Sequence, residues 1–232
     1  MNPIILALDT DDLDTACSWI EATNGAISTY KAGLEFFLSF GVEGINKLRS
    51  AGDFDLFLDL KLHDIPHTVA GATKAVANIK PKFLTVHASG GSAMVKSAVE
   101  AAPDIAITAV TILTSLDESS LLDIGFASTP MDSAVNLADL AVKAGARAIV
   151  SSPLEVRAIR ERIGSKAIII TPGVRPLGSE LGDQSRVMTP RDAINAGSTY
   201  LVIGRPITSL YKDGRDAMRR RAEEIRDEAI SS

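Results

Sequence analysis

The stretch Asp59-Leu60-Lys61-Leu62-His63-Asp64-Ile65-Pro66-His67-Thr68 gathers more reactive side chains than any other part of the chain. Side chains alternate along a strand, so Asp59 and Lys61 point to one side and Leu60 to the other, toward a helix layer. Asp64 falls in the turn just beyond, and Thr68 starts the next helix. A lysine flanked by two carboxylates keeps its proton, because neighbouring negative charge favours the cation. Such a lysine is a proton donor and an electrostatic clamp. It is unsuited to Schiff-base chemistry, which wants a depressed pKa. A lone Asp-x-Lys, taken by itself, reads better as a structural ion pair.

A second group lies in Thr171-Pro172-Gly173-Val174-Arg175-Pro176-Leu177-Gly178-Ser179-Glu180-Leu181-Gly182-Asp183-Gln184, a long loop with three glycines. Loops of this length without secondary structure are often lids or binding loops. Further on comes Val202-Ile203-Gly204-Arg205-Pro206-Ile207. Gly204 lets backbone N–H groups approach an anion, and Arg205 can pair with it through two hydrogen bonds. Arg175 and Gln184 can close from the lid. The plainer reading of Arg205 is a surface arginine after an ordinary turn.

These groups need a frame. Short runs rich in Ile, Val and Leu predict strands near Ile4–Leu8, Ile27–Tyr30, Asp55–Leu60, Phe83–Val86, Ile105–Val110, Ala148–Val150, Ala167–Ile170 and Tyr200–Ile203. Amphipathic patterns between them predict helices, several ending at Gly52, Gly145, Gly164 and Gly197, where glycine accepts a left-handed C-cap. Eight strands alternating with helices in 232 residues point to an α/β fold, one (β/α)8 TIM barrel spanning 1–232. The competing architecture is an open doubly wound sheet, although no Gly-x-Gly-x-x-Gly follows the first strand. In a barrel the active site lies at the C-terminal strand ends. Those ends read Asp9, Lys31, Asp59 with Lys61, His87, Thr111 to Thr114, Ser151, Thr171-Pro172-Gly173 and Gly204-Arg205. The loops after strands seven and eight are this architecture's usual phosphate cradle.

Composition narrows the partners. Lys and Arg total 24 against 29 Asp and Glu, for a net charge of −5. A mildly acidic chain is a poor general nucleic-acid binder, which needs a basic surface to displace counterions. The single cysteine, Cys17, fits the buried stripe of a helix and excludes an intramolecular disulfide framework. His63, His67 and His87 are not spaced as a metal set. His87 is expected to be a hydrogen-bonded structural residue. The N-terminus reads as a strand rather than a signal peptide, and no apolar run is long enough to span a membrane. The expected location is the cytoplasm.

The chain resembles the orotidine 5′-phosphate decarboxylase family along almost its whole length. The likeness rests on Ala7-Leu8-Asp9, Tyr30-Lys31-Ala32-Gly33, Asp59-Leu60-Lys61-Leu62-His63-Asp64-Ile65-Pro66, Val86-His87-Ala88-Ser89-Gly90-Gly91, Thr171-Pro172-Gly173-Val174-Arg175 and Ile203-Gly204-Arg205-Pro206. The resemblance implies a homodimeric barrel with its active sites at the subunit interface. It implies conversion of orotidine 5′-monophosphate to uridine 5′-monophosphate and CO2 without metal or organic cofactor. By that likeness Lys61 donates the proton within a network of Lys31, Asp59, Lys61 and Asp64. Asp64 and Thr68 would come from the neighbouring subunit. Asp9 and Lys31 would hold ribose hydroxyls, Thr114 the pyrimidine edge, and Arg175, Gln184, Gly204 and Arg205 the phosphate, with Pro172 in the substrate pocket. Two rivals fit the same residues: a metal-dependent sugar-phosphate decarboxylase or aldolase, and a barrel that binds a phosphometabolite without turnover.

Overall fold

The computed structural model describes residues 2–176 and 188–231. The strands are β1 (Ile4–Ala7), β2 (Thr29–Gly33), β3 (Asp55–Leu62), β4 (Phe83–His87), β5 (Ala106–Val110), β6 (Ala148–Val150), β7 (Ile168–Thr171) and β8 (Tyr200–Ile203). They pair in chain order, each parallel to the next. β1 closes on β8 through Ile4↔Leu201, Ile5↔Val202 and Leu6↔Ile203. That closure decides for the (β/α)8 barrel, because an open sheet would leave two unpaired edges.

Alternation along each strand splits the apolar side chains into two layers. Ile5, Phe57, Phe83, Ala106, Ala148, Ile170 and Tyr200 point inward and plug the barrel. Leu6, Leu56, Leu58, Leu84, Ile107, Ile149, Ile169 and Leu201 point outward and pack under the helices. Burying each large apolar side chain contributes roughly 1.5–3 kcal/mol. The plug fills the barrel below its C-terminal mouth and leaves the mouth to polar groups.

The helices are α1 (Leu13–Thr23), α2 (Leu34–Ser50), α3 (Pro66–Ala77), α4 (Gly91–Ala101), α5 (Glu118–Asp123), α6 (Pro130–Lys143), α7 (Val156–Ile163), α8 (Pro190–Ala196), α9 (Arg205–Thr208) and α10 (Arg215–Ile230). Thr129 and Thr189 cap α6 and α8, each accepting the N–H of an aspartate three residues on, with proline at the first helical position. Gly145, Gly164 and Gly197 take the positive φ expected of helix ends. Gly52 does not: Ala51 closes α2 in the right-handed region, its N–H donating to the Leu48 carbonyl. The left-handed glycine of α2 is Gly41, φ 58°, which kinks the helix internally. α5 and α9 are too short to carry a helical period in the sequence.

Two strand borders matter for the site. β2 runs to Gly33, past the end of the apolar pattern at Tyr30, because the ladder continues with Lys31 opposite Ala7 and Phe57. β3 runs to Leu62 and so carries Lys61 within the strand. Among the described residues no helix is long and apolar enough to cross a membrane.

Candidate active site

At the C-terminal mouth β1, β2 and β3 bring four charges into one chain. Nζ of Lys31 lies 3.1 Å from Oδ1 of Asp9 and 3.5 Å from Oδ2 of Asp59. Nζ of Lys61 donates to both carboxylate oxygens of Asp59, at 2.9 Å each. The order in space is therefore Asp9, Lys31, Asp59, Lys61, with signs alternating. Lys31 and Asp59 are buried, while Asp9 is exposed.

Burial pushes the Asp59 carboxyl up, but the charges of Lys31 and Lys61 and hydrogen bonds from Lys61 and Thr85 outweigh it. Asp59 is held below the ordinary carboxylate range. Burial pushes the Lys31 amine down, and the charges of Asp59 and Asp9 more than reverse it, so its pKa lies above the ordinary lysine value. The two shifts have one cause: each group is the counter-ion the other needs once water is removed.

Small residues make room for this packing. A methyl at Gly33 would approach Nζ of Lys31 to 3.2 Å. Lys61 has φ 50°, in the left-handed region that costs a non-glycine residue about 1–2 kcal/mol. The β3–β4 register explains it. β3 advances from Leu58 to Leu62 while β4 advances only from Leu84 to Val86, so a bulge holds Asp59, Leu60 and Lys61 opposite Thr85. The expected one-sided display of Asp59 and Lys61 is present, but a bulge produces it, not regular alternation.

The charges line a cleft of about 300 Å³. Its apolar wall is formed by Phe57, Val110, Ile112, Leu113, Val150 and Val202. Thr114 enters from the β5–α5 loop, Pro172 and Arg175 from the segment after β7, and Gly204 and Arg205 from the end of β8. The Arg175 N–H donates to the Met188 carbonyl at 3.0 Å, which ties together the chain on either side of residues 177–187. Gln184, expected at the phosphate, lies outside the described residues.

Asp64 and Thr68 are exposed and do not line this cleft; Oδ1 of Asp64 accepts the N–H of Ile65 at 2.6 Å. Within one chain, then, Asp59 is the carboxylate that reaches Lys61, and the second flanking acid expected from the sequence stays away. The turn after Leu62 carries Asp64 off the strand's direction. His87 also differs from expectation. Its ring packs against His63 with centroids 5.3 Å apart, and no side-chain hydrogen bond holds it among the described residues. Burial, then the charges of His63 and Lys61, keep it below the ordinary histidine range.

Three residues at the site escaped the sequence reading of roles. Gly33 was legible only as a glycine following a strand lysine. Ser151 is buried in the cleft wall, and its Oγ has no hydrogen-bond partner among the described residues. Thr85 is fully buried and touches both Asp59 and Lys61. Its one signal was a hydroxyl in the otherwise apolar run Phe83-Leu84-Thr85-Val86. Among the described residues no three His, Cys, Asp or Glu gather as a metal site.

A closed parallel barrel whose mouth gathers an ionic chain from β1, β2 and β3 beside Gly204 and Arg205 at the end of β8 has the layout of a barrel enzyme, with its site at the C-terminal strand ends. Comparison with known proteins narrows the class. The sequence profile described as "Orotidine 5'-phosphate decarboxylase / HUMPS family" matches residues 2–220. The chain is 52% identical over 221 residues to the orotidine 5′-phosphate decarboxylase of Thermobifida fusca, covering 95% of both chains. It is 48% identical over 229 residues to that of Frankia casuarinae, covering 91% of this chain and 84% of the relative. The crystal structure of orotidine 5′-phosphate decarboxylase from Lactobacillus acidophilus superposes with a TM-score of 0.86 at 33% identity, over 100% of both chains. The chain belongs to the orotidine 5′-phosphate decarboxylase / HUMPS family and is a carboxy-lyase.

Proposed function

We propose that this chain converts orotidine 5′-monophosphate to uridine 5′-monophosphate and CO2, a step of pyrimidine nucleotide synthesis, with Lys61 as the proton donor. The observation that carries this reading is the Lys61 ammonium, held by both oxygens of a buried carboxylate at the edge of an apolar-walled cleft. Breaking the bond between the ring and its carboxylate leaves the electron pair on C6, in the ring plane, where conjugation cannot spread it. The pair takes a proton from Nζ of Lys61, and solvent later restores that proton. No electron-sink cofactor enters this scheme, so the protein's field must carry the charge.

Magnitudes show that Lys61 alone is insufficient. One ammonium about 4 Å from a developing anion contributes roughly 4 kcal/mol at an effective dielectric near 20. Enzymes lower barriers by roughly 8–23 kcal/mol. The rest falls to preorganised dipoles, positioning and exclusion of water. Arg175, Gln184, Gly204 and Arg205 would grip the phosphate, Asp9 and Lys31 the ribose, and Thr114 the pyrimidine edge, beside Pro172. Binding energy from the remote phosphate then favours the transition state at the ring. Asp59 serves to hold Lys61 aimed.

The same reading makes the working unit a homodimer, in which Asp64 and Thr68 of one subunit complete the partner's cleft. Their exposure outside their own cleft supports this, as does Ile65, 65% exposed between Asp64 and Pro66. The test is direct. Purified protein mixed with orotidine 5′-monophosphate and a chelator should lose the orotate ring's ultraviolet absorbance; no change, or a requirement for divalent cation, overturns the reading. Mixed Lys61→Ala and Asp64→Ala proteins should recover part of the activity each lacks. Failure to do so despite demonstrated subunit exchange would remove the shared site.

A further inference from the structure

Thr85 stands where β3 and β4 lose register, and its hydroxyl fills the gap. Oγ1 accepts the backbone N–H of Lys61 at 2.8 Å and donates to Oδ1 of Asp59 at 3.0 Å. The first bond replaces the ladder partner that the bulge takes from Lys61 and so holds the left-handed backbone from which the amine hangs. The second fixes the rotation of the carboxylate on which the amine rests. Oδ1 of Asp59 receives both this hydroxyl and Nζ of Lys61, leaving Oδ2 to Lys61 and Lys31. One hydroxyl therefore holds the two ends of the short path between Asp59 and Lys61.

Packing does not account for this hydroxyl. The site is fully buried, and a valine of nearly the same shape would fill it without a polar atom to satisfy. The neighbouring strand supplies an internal contrast. Thr108 lies directly opposite Thr85 in the β4–β5 ladder and is equally buried, yet its hydroxyl donates back to the Ala106 carbonyl of its own strand. Thr85 spends both bonds on the relay, Thr108 none.

We infer that Thr85 is a positioning residue for proton delivery, acting through Lys61 and Asp59 without touching substrate. The inference rests on Lys61 being the proton donor. Asp59 is faced by Lys31 and Lys61, with Asp9 behind Lys31 and His87 and His63 behind Lys61. Removing the hydroxyl takes a donor from the charged form of Asp59, so the carboxylate protonates at higher pH.

The experiment is a kinetic series of Thr85→Val, Thr85→Ser, Thr108→Val and Lys61→Ala on the full chain, with kcat and KM measured across pH. Thr85→Val should lower kcat about 10–100-fold, the scale of a small misplacement of reacting groups. KM should change by less than about threefold, since other strands hold the substrate. The acid limb of the kcat profile should move to higher pH. Thr85→Ser should restore both kcat and the limb, and Thr108→Val should move neither. If Thr85→Val does not fold, Thr85→Ala removes the same hydroxyl and takes its place. A hydroxyl-free variant with unchanged kcat and acid limb, or a serine variant as impaired as valine, overturns the inference. Should Lys61→Ala keep its turnover, the proton-donor reading fails first; if Lys61→Ala is inactive while Thr85→Val is normal, the positioning role alone falls.

Discussion

β3 carries an aspartate toward each end, and each is paired with lysine, yet the two pairs sit in different surroundings. Asp55, at the N-terminal end, meets Lys82 at 2.6 Å with side chains 46% and 37% exposed. Asp59, toward the C-terminal end, meets Lys31 with side chains 12% and 11% exposed and shares a second lysine, Lys61. The lower ammonium lies over the rings of Phe83 and Tyr200, roofing the apolar plug. The upper one borders a cleft. Identical chemistry thus gives a solvated clasp at one end of a strand and a buried chain of alternating charges at the other. Burial, the bulge and an adjoining cavity separate them, and side-chain type does not.

The sharpest way to break this contrast is at Lys61. Lys61→Ala should reduce turnover about 10⁴-fold or more, combining lost general-acid and electrostatic contributions, while the fold survives because Lys61 is only partly buried. Steady-state assay with circular dichroism as the folding control checks this. Near-normal turnover would make the upper pair another clasp.

Next in size is the β8 end of the same mouth, where Gly204 lies beside Asp9. Arg205→Ala should lower kcat/KM for the intact nucleotide about 10²–10³-fold, the scale for truncating one member of a charge-assisted pair. On a substrate lacking the phosphate the loss should be small. An equal loss on both substrates would mean the substitution damages the barrel and not an anion contact.

How much of this was readable beforehand follows from the same contrast. The barrel was legible because eight apolar runs alternate with amphipathic stretches, and the mouth's charges stood out because they end those runs. Lys31, Asp59, Lys61, Arg175 and Arg205 all fall where a barrel's chemistry belongs. The bulge was not legible: Asp-Leu-Lys reads as plain alternation, and only the β4 register shows that Lys61 sits in the left-handed region. Thr85 meets Asp59 and Lys61 across strands, and Gly33 lies against the folded-back amine of Lys31 on its own strand, close approaches that no local pattern encodes. Asp64 was readable as a residue of the turn past the strand, but that it points away from Lys61 of its own chain was not, since a turn's direction depends on the helix it feeds.

Removing the shared acid tests burial itself. Asp59→Asn leaves Lys31 buried with only the exposed Asp9 beside it, and should destabilise the fold by about 3 kcal/mol near neutrality. Because the folded pKa of Asp59 is depressed, its contribution is present above the unfolded carboxylate value, about 3.9, and is lost as pH falls through the lower folded value. For Lys31 the folded pKa is raised, so its contribution holds below the ordinary lysine range and disappears as pH rises through the higher folded value. Denaturant titrations of both proteins across pH should therefore show a gap that is widest in the middle and closes at the acid end. A gap that is absent, or that persists unchanged to about pH 2, would contradict a pKa depressed by pairing.

The smallest effect belongs to the lower clasp and is the one that gives the contrast its meaning. Lys82 and Asp55 are each more than one-third exposed, so water already solvates them and their attraction is screened. Asp55→Asn should cost only about 0.2–1 kcal/mol, the range of exposed ion pairs, and this loss should shrink in high salt. Turnover should stay at the level of the unsubstituted chain, because the plug of Phe57, Phe83 and Tyr200 stands between this pair and the cleft. If Asp55→Asn instead lowered kcat, the barrel interior would be transmitting charge from one end to the other. Burial at the mouth would then no longer set the two pairs apart.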